Sequence, residues 1–482
     1  MPGFVRGRAV PAPAAVLGQP SRWPFVALCI YLLSQACLIP VMALGPSWAI
    51  WPRLSDFAVG LLFAATLVSR PSKWPITEAS QTVFRLLVIA YIGAIVSFFL
   101  VNLLIGGAGR GLAIDDGQYY LYRITQFLIV YWVAMRVPLT PSRQKILANV
   151  ATITLVATCV LCLLTWAGIP SGPRIVSHLP SSKEVAGPWV TYALDEARGY
   201  GLISYNRAYV AAHLLLLTAL KLNLDVKRRP LLDVAYIGLA LAACFVSGSR
   251  AGFAAMGLFT FALFVRNPIY VPVAGLLLGL TSLFVSPETF SSGDITKIAE
   301  EQTKIANPME AEQFRARVNL WSRWLDRFSR DPFALVVGIG FGGARGEGGV
   351  DMAHMQYLTV LGELGIFGLL FYLWLFYTIL HGLWRYEPKP NPLFWATVAL
   401  LFGAATQETF YPVVAFGHFL GLYALAVALA LRPQSAPAAA AGAGAAMSAA
   451  PFVPQARVGA PWPVFQPGLG PGQPSLQPNP LR

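Results

Sequence analysis

Apolar runs, each close to the ~20 residues that a helix needs to cross a bilayer, recur along most of this chain. We read about twelve, at 24–44, 54–69, 84–105, 119–135, 146–168, 201–220, 231–247, 251–265, 269–286, 357–380, 392–410 and 413–431. The 231–265 stretch reads either as two short spans joined by Ser247-Gly-Ser-Arg250 or as one broken helix. Only 12% of the 482 residues are charged and the mean hydropathy is +0.59, whereas a soluble domain carries roughly 25% charged residues. The pattern predicts an all-α polytopic integral membrane protein of about twelve transmembrane helices.

Basic residues sort onto alternate loops. Arg70 and Lys73, Arg136 and Arg143, Lys227 to Arg229, Arg266, and Arg385 and Lys389 fall on one face with both termini, which topology rules make cytoplasmic. The net charge of +13 is therefore explained by membrane topology and implies no nucleic acid. Residues 1–23 form a short basic, Pro/Ala-rich N-terminus, expected disordered, and 24–286 hold the first nine spans. Residues 287–356 form a large periplasmic loop, with eight Lys/Arg and ten Asp/Glu. Residues 357–431 hold the last three spans, and 432–482 are an Ala/Pro/Gly-rich tail, expected disordered and cytoplasmic. The N-terminus lacks the pattern of a cleaved signal peptide, so the first span is expected to stay as an anchor. Cys159 and Cys162 sit in an apolar span without a second pair and read as small core residues.

Two outer segments are long enough to build a site, the proline-broken 169–200 and the 287–356 loop. In the latter, Phe314, Val318, Trp321, Leu325 and Phe328 recur at helical spacing from Glu310 to Arg330, as in an amphipathic helix lying at the interface or on the bundle. The glycine-rich stretch from Gly338 to Gly349 has no Walker lysine and reads as a turn letting backbone approach a ligand.

Three polar features converge on the outer face. Arg250, among small residues near membrane depth, needs a partner or a ligand, and its fork suits phosphate. Arg315 and Arg317 precede Trp321, and Arg317 shares a helix face with it. Asp351 and His354 open the next span one turn apart, so the carboxylate can fix the imidazole tautomer. Glu408, at the end of a span, is a candidate substrate contact. The histidines show no metal-ligand spacing, so no metal is expected, and no cofactor motif is present.

These residues resemble the O-antigen ligase and Wzy-type polymerase superfamily of bacterial envelope glycan enzymes. Ser247-Gly-Ser-Arg250-Ala-Gly is similar to that family's Ser-Arg helix break. Arg317-Val-Asn-Leu-Trp321, with Asp331-Pro332 and Gly338-Ile-Gly-Phe-Gly342, is similar to its Arg-x-x-x-Trp…Pro…Gly-x-Gly stretch. Ala353-His354-Met-Gln-Tyr357, with Glu363-Leu-Gly365-Ile-Phe-Gly368, is similar to its His-Asn block. Met355 departs from the family, which has asparagine there.

The resemblance implies a metal-independent glycosyltransferase of the bacterial inner membrane, acting at the periplasmic face. Its donor would be an undecaprenyl-diphosphate-linked glycan and its acceptor a glycan or a lipid. Arg250 and Arg317 would hold the diphosphate, His354 would take the proton of the attacking hydroxyl and Asp351 would position it. Arg315, Trp321 and Glu408 would contact substrate. A repeat-unit polymerase of exopolysaccharide or O-antigen is favoured, with a flippase and a chain-length regulator as companions. A ligase to lipid A core stays open, as does a lipid or sugar transporter, which inverted repeats with paired broken helices would mark.

Overall fold

The computed structural model describes residues 21–41, 52–69, 75–104, 110–167, 199–203, 206–225, 227, 229–276, 312–345, 353–385, 391–412 and 417–432. Most of the 169–200 segment, residues 287–311, Asp351, and the terminal stretches 1–20 and 433–482 lie outside them.

Among the described residues the regular structure is helical. In chain order the helices are α1 (Trp23–Ser34), α2 (Leu54–Val68), α3 (Glu78–Leu104), α4 (Arg110–Ala134) and α5 (Pro141–Trp166). There follow α6 (Arg207–Leu224), α7 (Pro230–Val246), α8 (Arg250–Arg266) and α9 (Tyr270–Leu276). The last five are α10 (Glu312–Arg330), α11 (Pro332–Val337), α12 (Gln356–Arg385), α13 (Pro392–Gly403) and α14 (Gly417–Ala430). Several starts are written in the sequence as a capping side chain followed by proline, whose missing N–H is no loss in the first turn. Thr140 accepts from the Arg143 amide ahead of Pro141, and Asn391 from the Leu393 amide ahead of Pro392.

Glu78–Leu100, Pro141–Trp166 and Gln356–Arg385 are each long and apolar enough to cross a membrane. α8 and α9 meet the same test together, bent by 118°. α1, α2, α7, α13 and α14 are apolar but shorter. The Ser247–Arg250 ambiguity resolves into two helices. Gly248, at φ 71°, ends α7 in the left-handed region that glycine adopts without strain, and the Ser249 hydroxyl caps α8 by accepting from the Gly252 amide at 3.1 Å.

α6 is the hub. Apolar side chains occupy every side of it, and its residues from Tyr209 to Leu222 are all buried, as in a helix enclosed by others. It packs on α5, α7, α8, α13 and α14. The peripheral helices turn apolar faces outward instead, with Phe57 and Leu61 on α2 and Ile89, Ile92 and Val96 on α3 exposed. In water such surfaces would drive aggregation; against lipid tails they cost nothing.

The C-terminal end of α6 is closed by a charge network. Lys221 Nζ lies 2.7 Å from Asp225 Oδ2 and 3.4 Å from Asp233 Oδ1. The Tyr270 hydroxyl donates to Asp233 Oδ2 at 2.9 Å, and the ammonium sits 4.1 Å from the centre of the Tyr236 ring. A second buried pair, Arg123 Nη1 to Asp56 Oδ1 at 2.6 Å, joins α4 to α2.

Candidate functional site

The N-terminal end of α6 builds the candidate site. Asn206 caps α6, its side-chain oxygen accepting from the Ala208 and Tyr209 amides at 2.9 and 3.3 Å, so Arg207 is the first helical residue. Arg250 is the first helical residue of α8. The two helices approach so closely that a Cβ on Gly252 would come within 2.1 Å of Ala211 Cβ. Glycine at 252 therefore sets two helix N-termini, each with its positive dipole end and an arginine, beside one another.

Arg317 comes from α10. This helix has charged residues on its outer face and packs on the bundle through Trp324 and Phe328, which are buried against Ala344, Ala353 and Leu358. A Cβ on Gly362 of α12 would strike the Trp324 ring at 2.4 Å, so glycine is what lets α10 settle there. Trp321 Nε1 donates to the Ala353 carbonyl at 2.8 Å, tying α10 to the residue before His354. Burial lowers the pKa of the half-buried Arg317. Glu408 pulls it up, and Arg207 and Arg250 push it down. The guanidinium stays charged at neutral pH, and its field places all four groups in one neighbourhood.

His354 stands at the mouth of this cluster with its side chain 53% exposed, its Nδ1 3.4 Å from Glu408 Oε2. Its φ of 50° makes it the one non-glycine among the described residues in the left-handed region, a conformation that costs about 1–3 kcal/mol and needs support from its surroundings. That support comes from both sides. Trp321 holds Ala353, and the Met355 carbonyl accepts from the Leu358 and Thr359 amides as α12 begins. Glu408 is buried, with Oε1 accepting from the Thr359 hydroxyl at 3.2 Å.

The loop carrying Glu408 is docked on α12. The Gln356 amide donates to the Ala404 carbonyl, and Gln356 Oε1 accepts from the Phe410 amide at 2.7 Å. The Tyr411 hydroxyl donates to Glu363 Oε2 at 2.5 Å. The same buried carboxylate accepts from the Gly342 amide at 2.9 Å and the Ala344 amide at 3.2 Å. In its described part the glycine-rich stretch turns the amides of Gly340, Gly342 and Ala344 onto Glu363, where the sequence reading had expected a ligand. Gly338, Gly340 and Gly342 all have φ between 82° and 96°, and Cβ atoms on Gly338 and Gly365 would lie 2.3 and 2.2 Å from the Glu363 and Val336 carbonyl oxygens. These glycines insert the loop into the break of α12 at Gly365, where φ is 68°.

Of the predicted residues, the structure brings Arg250, Arg317, Trp321, His354 and Glu408 together. Arg315, two residues from Arg317 and so about 200° around the helix, is exposed. Asp351 lies outside the described residues; among those described, the carboxylate beside His354 is Glu408. Arg207 was not anticipated, since Asn206-Arg207 reads in sequence only as a helix start. Met355 packs with the apolar cluster of Trp324 and Phe328.

Such a cluster can bind a polyanion through guanidinium forks and accept a proton at an imidazole oriented by a buried carboxylate. No curated protein matches the chain. Residues 235–373 match the O-antigen ligase family. That segment holds Arg250, Arg317, His354 and the Glu363 clamp, and the match supports the resemblance to the O-antigen ligase and Wzy-type polymerase superfamily.

Proposed function

We propose that the protein is a bacterial inner-membrane glycosyltransferase of about twelve spans. Its site would face the periplasm and use undecaprenyl-diphosphate-linked glycans as donors. The observation that carries this reading is the meeting of Arg207, Arg250 and Arg317 with a His354–Glu408 pair at one end of the bundle. The site-bearing helices are short. At about 1.5 Å per residue, the 18 residues of α6, 17 of α8 and 12 of α13 rise roughly 27, 26 and 18 Å, against a hydrocarbon core of about 30 Å. On this reading the arginines come to the depth at which a lipid-linked diphosphate presents its phosphates.

In the reaction, His354 takes the proton of the acceptor hydroxyl as its oxygen forms a bond to the anomeric carbon. The bond from that carbon to the diphosphate oxygen breaks, and the lipid diphosphate leaves with the electron pair. A single displacement inverts the anomeric centre. The arginines stabilise charge growing on the leaving group, so the reaction as drawn needs no metal. Glu408 holds the imidazole with Nδ1 toward the carboxylate, leaving Nε2 to accept. Trp321 would line the sugar path, while Arg315, on the outward face of α10, would meet only a part of the glycan that extends beyond the site.

Within this reading a repeat-unit polymerase of exopolysaccharide or O-antigen is favoured over a ligase to lipid A core. The test is complementation of a deletion strain with wild type, His354→Ala and Arg317→Ala at matched membrane levels, with lipid-linked and transferred glycans run on gels. Loss of long polymer while single repeat units are still transferred establishes a polymerase. Loss of all transferred glycan with long lipid-linked polymer accumulating establishes a ligase. Full activity in both variants overturns the site and brings the transporter reading forward.

A further inference from the structure

The six-residue helix α11 is an apolar knuckle on the surface. Of its residues only Ala334 is buried; Phe333 is 71% exposed, and Leu335, Val336 and Val337 are exposed with it. The knuckle is separate from the buried face of α10, whose outward residues Arg315, Asn319, Ser322, Arg323 and Asp326 are polar. An uncovered run of this kind marks an interaction surface.

Its place in the fold identifies what covers it. A Cβ on Gly365 would strike the Val336 carbonyl, so the knuckle abuts the break in α12. Beyond that break α12 runs about 20 residues to Arg385, roughly 30 Å, which is one hydrocarbon thickness. The far boundary is marked by Arg266, whose guanidinium lies 5.2 Å from the Trp384 ring centre and 4.9 Å from that of Trp395, a basic and aromatic belt of the kind found where bilayer meets water. The break at Gly365 therefore sits at the opposite boundary. Just past it, Ile366, Phe367 and Leu370 are exposed on the spanning half of α12, and the knuckle continues that surface. Arg323 and Arg330 are exposed on the last two turns of α10, beside Asp326 and ahead of the capping Asp331, and their guanidiniums suit lipid phosphates.

We propose that α11 inserts into the edge of the bilayer on the site's side, with Phe333, Leu335 and Val336 among acyl chains and Arg323 and Arg330 at the headgroups. The partner is lipid. α11 joins α10, which carries Arg317, to the glycine loop that clamps Glu363, so insertion fixes the height of Arg317 relative to the bilayer surface. On the transferase reading, that is the height at which the donor's diphosphate arrives.

The test is spin-label depth, with the full chain in nanodiscs of phosphatidylethanolamine and phosphatidylglycerol. Nitroxides go on Phe333→Cys, on Phe367→Cys as the lipid reference and on Ser322→Cys as the aqueous reference. The labelled wild type gives the contribution of the five native cysteines. Relaxation by oxygen is compared with relaxation by a water-soluble nickel chelate. The expected result is that Phe333→Cys follows Phe367→Cys, with oxygen dominant. A label at 333 that follows Ser322→Cys, with the nickel chelate dominant, overturns the proposal. Leu335→Cys serves in the same comparison if Phe333→Cys does not fold. The readout involves no turnover, so an enzyme inactive on every diphosphate donor would count against the transferase and leave the knuckle to be decided by the labels.

Discussion

The two ends of α6 hold cations in opposite company, a buried lysine at one and half-buried arginines at the other. At one end Lys221 lies between Asp225 and Asp233, with Tyr270 satisfying the second oxygen of Asp233. At the other, Arg207 and Arg250 both act on Arg317, as does the carboxylate of Glu408, which also faces His354. A cation enclosed by two carboxylates has its counter-charge built in and serves as a staple. Around Arg317 two like charges, Arg207 and Arg250, act against the carboxylate of Glu408, and guanidinium forks suit a polyanion. On the transferase reading, the contrast separates charge used for architecture from charge available to a ligand.

The sharpest way to break the contrast is at His354. Its side chain is 53% exposed, so His354→Ala removes little packing. We expect transfer to fall by about 10²–10⁴, the range for losing a general base, with the melting temperature within a few degrees of wild type. Measured turnover near the wild-type value would remove the imidazole from the chemistry.

The opposite pattern is expected at the other end. Lys221→Ala leaves two carboxylates, one of them fully buried, without their cation and should cost about 3–5 kcal/mol of stability. The fraction that stays folded should keep the wild-type KM for donor. A changed KM with unchanged stability would show that the lysine end talks to the site.

Gly338→Ala probes the scaffold between them. At φ 83°, with a Cβ placed 2.3 Å from the Glu363 carbonyl oxygen, alanine must push the loop out of the α12 break. Strain at such a position costs about 1–3 kcal/mol before the displaced contacts are counted. Thermal melting in detergent should show the loss, and turnover should fall with it because the Glu363 clamp also holds Tyr411 in the Glu408 loop.

Much of this was legible in the sequence, and the limits have physical reasons. Apolar runs located the helices because a membrane helix must be apolar over its whole length. Arg250, Arg317 and His354 were legible because each sits in a local pattern, a helix break, an Arg-x-x-x-Trp turn and a helix start. Arg207 was hidden: nothing local distinguishes it, and only the close crossing at Gly252 and Ala211 brings it to Arg250. The role of Glu408 was hidden too. Asp351 has the nearer sequence position, while Glu408 reaches His354 through the docking of a loop more than fifty residues away. The glycine loop was misjudged because φ above zero shows where a backbone turns and says nothing of what its amides meet.

Arg207 supplies the next test. If it belongs to the ligand-receiving end, Arg207→Ala should raise KM for a diphosphate-linked donor about tenfold, equivalent to about 1.4 kcal/mol, and change kcat less. Arg207→Lys should recover part of the loss, since lysine keeps the charge and loses the fork. An unchanged KM would leave Arg207 as a helix start and reduce the trio to a pair.

The smallest effect is expected where the chain departs from the family pattern it resembles. Met355 follows His354, yet its side chain packs with Trp324, Phe328 and Leu358, and it acts on the site through its backbone carbonyl, which accepts from the Leu358 and Thr359 amides. An asparagine keeps that carbonyl and gives up part of the apolar contact. Met355→Asn should therefore cost about 1 kcal/mol of stability, near the typical value for a single substitution, and change turnover by less than about threefold. Parallel measurement of melting and transfer would separate the two contributions. A large gain in turnover would mean that the amide reaches the acceptor and that Met355 leaves that contact unmade.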